Sequence, residues 1–108
     1  MKASIKPGAI LGRRGRYVDA GYIWSMAQPI IILAYDDLGY ECVLTAGCDN
    51  NHAKDSLHPD GLARDFRTNH MKADHRVELA MNLTTALGPE FDVILETDHL
   101  HVEWDPKP

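Results

Sequence analysis

The sequence predicts an α+β fold, a small antiparallel sheet carrying two main helices. Three observations predict it. Two stretches hold apolar residues at helical spacing, and three or four short stretches alternate with period two. The chain itself, 108 residues with 44% hydrophobic and 25% charged, has the composition of a small globular domain. A chain this long buries roughly two-thirds of its unfolded surface, which supports one core, so residues 1–108 read as a single domain.

The elements follow in order. Residues 1–16 are basic (Lys2, Lys6, Arg13, Arg14, Arg16) and punctuated by Gly8, Gly12 and Gly15, and they read as an extended arm that lies on the surface or pairs loosely. Pro29 suits the first turn of a helix, because its missing N–H is unsatisfied there anyway. Ile30, Leu33, Ala34 and Leu38 continue that helix on one stripe, Ile31 and Ile32 add apolar residues off it, and Gly39 ends it. Glu41 to Thr45 is a short apolar run between glycines and predicts a strand. Residues 46–61 are polar and turn-rich, and a loop of that length in a small domain points to function.

Leu62 to Arg67 alternates, with Leu62, Arg64 and Phe66 on one face and Ala63, Asp65 and Arg67 on the other. Asp74 predicts the N-cap of a second helix with Val77, Ala80, Met81, Thr84 and Leu87 at helical spacing, stopped by Gly88 and Pro89. Phe91, Val93 and Leu95 alternate as a further strand. In the last one His99, His101 and Glu103 share a face, with Leu100, Val102 and Trp104 behind them. Only Glu96, Thr97 and Asp98 separate these two strands, which predicts a hairpin.

Charge and composition exclude several functions. A net charge of −5 is the wrong sign for a protein whose affinity comes from neutralising phosphates, so no nucleic-acid partner is expected. The longest apolar run, Pro29 to Tyr35, is far short of the roughly 20 residues that cross a bilayer. No apolar segment precedes Tyr17, so the chain reads as lacking a secretory signal. Cys42 and Cys48 form neither a disulfide framework nor a CxxC pair and read as reduced thiols.

Six His in a small domain are the unusual feature. His58 is followed seven residues later by Asp65, and His99 and His101 form a His-x-His pair preceded by Glu96 and Asp98. Two imidazoles and one carboxylate leave a fourth tetrahedral position on zinc open for water, and a neighbouring acid can shuttle the proton. His70 and His75 read as surface residues at a helix start, Trp104 as a core anchor, and Glu103 as a support for a ligand His.

The wider pattern is more specific. Ser56-Leu57-His58-Pro59-Asp60-Gly61-Leu62-Ala63-Arg64-Asp65 fits Ser-x-His-x-x-Gly-x-Ala-x-Asp, and Asp98-His99-Leu100-His101-Val102-Glu103 supplies a downstream half. Together they resemble the zinc peptidoglycan peptidases, which include D-Ala-D-Ala carboxypeptidases and L-alanyl-D-glutamate endopeptidases and share the fold of the hedgehog signalling domain. The resemblance runs from about Pro29 to Trp104 and is closest to short bacteriophage forms.

That resemblance implies one zinc per chain held by His58, Asp65 and His101, with Asp98 as general base, Glu96 as its rival, and His99 steadying the oxyanion. It implies hydrogen-bonding support from Ser56 and substrate contact or loop capping by His52. The substrate would be the peptidoglycan stem peptide, cut by an endopeptidase or a D,D-carboxypeptidase. The protein would be made in a bacterial cytoplasm and act on the wall after release or within a virion. The chain departs from the family where an Arg clamps the substrate carboxylate, since Cys48 and Asp49 hold that place. Arg67 is the substitute, with Lys54 behind it, and the endopeptidase is the easier reading. In a straight strand Asp98 would face away from His101, so its role requires a turn or bulge at Asp98 and His99. The alternative is a non-catalytic, zinc-stabilised binding or virion module of the same fold, and a third reading is a metal-free domain with a coincidental His cluster. The sequence leaves the oligomeric state open.

Overall fold

A computed structural model describes residues 2–7, 20–46 and 62–106. Its elements are β1 (Ala3–Ile5), α1 (Ala20–Asp37), β2 (Cys42–Ala46), β3 (Ala63–Arg67), α2 (Ala73–Leu87), β4 (Phe91–Leu95) and β5 (His99–Trp104). The five strands form one sheet in the order β1-β2-β3-β5-β4. The fold is therefore α+β with two helices, as expected, but the sheet is mixed rather than antiparallel. β1 lies parallel to β2, pairing Ala3 with Cys42 and Ile5 with Leu44, while every other pairing is antiparallel. Part of the expected arm is thus an edge strand, and residues 8–16 of that arm lie outside the described residues.

Alternation gives the sheet two unlike faces. Leu44, Phe66, Leu100 and Val102 are buried against Ile31 and Tyr35 of α1 and Leu79 and Leu83 of α2. The opposite face carries Asp65 beside His101, and Arg67 beside His99. Both helices differ from the sequence expectation in which stripe they bury. α1 begins nine residues before Pro29, which lies in its interior on the exposed side. There the ring and the missing N–H face water, and the buried spacing of Trp24, Ala27, Ile31 and Tyr35 carries the helix through a proline that costs about 3 kcal/mol. Ile30 and Leu33, expected inside, are exposed. Gly39 ends α1 at φ +85, a conformation open to glycine without strain.

In α2 the two candidate stripes overlap, and Leu79 and Leu83 outcompete Val77 and Met81, which are 51% and 66% exposed. Asp74 is not the N-cap; it sits in the first turn, and its Oδ1 accepts the N–H of His75 at 3.0 Å. Trp104, expected as a core anchor, is half-buried and donates its indole N–H to Glu90 at 3.3 Å.

Three contacts hold the site end of the sheet. The buried Tyr35 hydroxyl donates to the carbonyl of Arg67 at 2.8 Å, and burial pushes its pKa up. The Thr68 N–H donates to the carbonyl of Asp98 at 3.1 Å, tying the end of β3 to the β4–β5 turn. The Glu96 N–H donates to the His99 carbonyl at 2.8 Å and closes that hairpin. Burial also raises the Cys42 thiol to about 12, so it stays protonated in the core.

Replacing Leu83 by Ala should cost about 2–5 kcal/mol in urea unfolding, by lost transfer energy plus a cavity. Met81→Ala should cost less than about 0.5 kcal/mol. Comparable losses would contradict the packing of α2.

Candidate functional site

The site is built on the antiparallel pair β3–β5. Asp65 and His101 are direct cross-strand partners, and the His101 Nδ1 lies 2.9 Å from Asp65 Oδ1. Asp65 is 8% exposed, a carboxylate that burial would disfavour without such a partner. β2 shifts register between Leu44 and Ala46 opposite Phe66 and Asp65, a bulge that alters the strand's twist beside this pair. On its other side the His101 ring bonds Glu103 Oε1 through Nε2 at 2.7 Å.

His99 sits one strand step away on the same face. Its Nδ1 lies 2.7 Å from Asp98 Oδ1, and its Nε2 lies 3.8 Å from Asp65 Oδ2. The chain bends at residues 97–98 before β5 begins, which supplies the turn that Asp98 requires. Asp98, His99 and Asp65 consequently line one polar depression of about 230 Å³, together with Thr45, Asn69, Lys6 and Arg67. Glu96, the rival base, does not line it.

The hydrogen bond from His99 holds the Asp98 carboxyl below its ordinary value. That is the reverse of an acid tuned up toward neutrality. Burial alone would lower His101, but the hydrogen bonds and charges of Asp65 and Glu103 outweigh it and raise the imidazole above its usual value.

Of the expected residues, the structure brings together Asp65, His101, Asp98, His99 and Arg67. His58, Ser56, His52, Lys54, Cys48 and Asp49 lie outside the described residues. Sequence reasoning missed two features. Lys6 enters the depression from the end of β1, and no local pattern announces a parallel edge strand. Asp92, Glu103 and Asp105 bring carboxylate oxygens within 4.8 Å of one another and could hold a metal ion. Asp92 pairs with Glu103 across β4–β5, so hairpin register was the available signal. An all-oxygen set of this kind suits hard cations such as calcium or magnesium better than zinc.

Asp65 and His101 bond each other and present an oxygen and a nitrogen donor side by side, a pair that a metal ion could share. Two ligands of a tetrahedral zinc stand about 3.3 Å apart, close to the separation of Nδ1 and Oδ1. Glu103 on Nε2 orients the His101 imidazole. Among the described residues, no helix is long and apolar enough to cross a membrane.

The raised His101 pKa gives a signed pH dependence for metal-free protein. Its stabilisation is fully present below the unfolded value of about 6.5 and is lost as pH rises through the raised folded value. Urea midpoints of chelated protein should therefore fall as pH rises above about 6.5, and His101→Gln should flatten that fall. Any metal ion held by the His101 imidazole should load better as pH rises, because a ligating imidazole must be neutral. A wild-type midpoint that rises with pH would contradict the Asp65–His101–Glu103 arrangement.

No protein-family model matches the chain, and no curated protein matches its sequence.

Proposed function

We propose that this protein is a zinc peptidase that hydrolyses an amide bond in the peptide stems of bacterial peptidoglycan, as an endopeptidase or a D,D-carboxypeptidase. The observation that carries the reading is the Asp65–His101 pair. Two residues that the Ser-x-His-x-x-Gly-x-Ala-x-Asp and Asp-His-x-His motifs select independently are cross-strand partners with donor atoms 2.9 Å apart. The other two motif residues, Asp98 and His99, border the depression beside them. The phage-type resemblance supports a protein made in a bacterial cytoplasm and acting on the wall after release or within a virion.

Asp65 and His101 would hold one zinc per chain, with His58 as the third ligand. Zinc there supplies a water of lowered pKa and a Lewis acid for the scissile carbonyl. The chain's own residues do the rest. Asp98 bonds His99 through Oδ1, and its second carboxylate oxygen can take the proton of the attacking water and return it to the leaving amine. Through Nδ1, Asp98 also fixes the His99 ring, whose Nε2 faces the side of Asp65. In this reading the His99 ring steadies the developing oxyanion. Ser56 supports the ligand loop and His52 contacts substrate in this reading.

Zinc-loaded protein should release stem fragments from purified cell wall, read by mass spectrometry. Asp98→Asn should cut the rate by about 10²–10⁴ while retaining zinc. Full activity in that variant would sink the mechanism. A second reading is a non-catalytic zinc-stabilised module, favoured by Cys48 and Asp49 standing where the family carries its carboxylate-clamping Arg. Zinc retention without any stem cleavage by the wild type would select it.

A further inference from the structure

α1 carries no charged residue from Ala20 to Tyr35, and α2 carries none from Leu79 to Pro89. The buried side of a helix is ordinarily free of charge, but here the exposed side is as well. Among the described residues of α1 before Asp36, those that face water are Ser25, Met26, Pro29, Ile30 and Leu33, with Met26 56% and Leu33 50% exposed. Met26, Ile30 and Leu33 stand at i, i+4 and i+7 and so form one apolar stripe. Beside the N-terminal half of that stripe lies a cavity of about 380 Å³. Ile23, Met26, Ala27 and Ile30 wall it on one side, and Leu87 and Phe91 on the other. Glu90, whose carboxylate accepts the Trp104 indole N–H at 3.3 Å, is the acid at its rim.

We propose that this face binds a second copy of the chain, with the two α1 helices antiparallel across a two-fold axis beside Pro29 and Ile30. The inference is independent of the peptidase reading, because the helices cover the opposite face of the sheet from Asp65 and His101. Shape and charge both select that occupant. The cavity lies on the N-terminal side of the axis and the projecting Leu33 on the C-terminal side. Antiparallel packing therefore sets Leu33 of each copy over Met26 of the other, at the cavity mouth. A two-fold contact uses one patch twice, so a helix with both a hollow and a projection is complementary to itself. Two chains of net charge −5 repel, and an uncharged face lets them meet without opposing carboxylates. The same packing carries Asp36 and Asp37 of each copy to the N-terminal end of the other α1. That end favours negative charge and has no acid in its own first turn. Asp36 and Asp37 are also the wrong sign for a lipid surface, which holds such stripes through flanking Lys and Arg.

Sedimentation equilibrium of the full chain, from low-micromolar to submillimolar concentration, should show a reversible equilibrium between monomer and dimer. Ile30→Glu and Leu33→Glu should each weaken the dimer by about tenfold or more, because each new charge enters the contact twice. Both positions face water in the single chain, so far-UV circular dichroism of the dilute variants should match the wild type. Ile5→Glu, at an exposed apolar residue of β1, should leave the dimer unchanged. Higher salt should tighten it by screening the repulsion between two acidic copies. Disulfide capture in a Cys48→Ser background reads the packing direction. Chains carrying Met26→Cys, mixed with chains carrying Leu33→Cys, should link to each other in preference to themselves. A dimer that survives both Glu variants, or self-linking as fast as cross-linking, would overturn the two-fold contact. A chain that stays monomeric throughout would overturn it too and leave the face to a different partner.

Discussion

A one-residue slip of β5 along β3 would turn His99 and His101 into the core and bring Leu100 and Val102 to the surface. The antiparallel register therefore does two tasks at once. It seals Phe66, Leu100 and Val102 against α1 and α2, and it sets Asp65 opposite His101 on the other face. Burial enforces the register far more strongly than the polar pair could, since each large apolar side chain contributes about 1.5–3 kcal/mol. The site is thus precise because the opposite face is packed. Tyr35 and Thr68 extend that precision, holding the end of β3 and the turn that carries Asp98.

Electrostatics on the polar face form one connected row. Asp98 bonds His99, His99 approaches Asp65, Asp65 bonds His101, and His101 bonds Glu103, which also belongs to the acidic group with Asp92 and Asp105. Without a metal, the carboxylates of Asp65 and Glu103 on either side of His101 favour its protonated form. A divalent cation held there would compete with that proton. Thr68, whose buried hydroxyl has no hydrogen-bond partner among the described residues, is a cost carried by this end of the sheet.

The strands were the most readable part of the sequence, because a period of two needs only a few residues. Leu62 to Arg67 and His99 to Trp104 announce both their faces and, with them, the Asp65, His99 and His101 row. The helices were readable as helices but not in orientation. In α2 two apolar stripes coexist, and only the sheet decides that Leu79 and Leu83 face inward. In α1 a proline that usually marks a start sits on the exposed side of a longer helix. β1 was unreadable, since Ala3-Ser4-Ile5 has no pattern and its parallel partner lies almost forty residues away. With β1 went Lys6. The motif half that contains Ser56 and His58, and the substrate contact expected of His52, lie outside the described residues.

The central claim is that Asp65 and His101 are zinc ligands rather than a buried ion pair. The most direct measurement is the zinc content of purified protein by elemental analysis, with His101→Ala and His58→Ala beside the wild type. The account predicts one zinc per chain in the wild type and its loss in both variants. Wild-type protein that takes up no zinc, even after incubation with it, would contradict the account and leave Asp65–His101 as a structural pair.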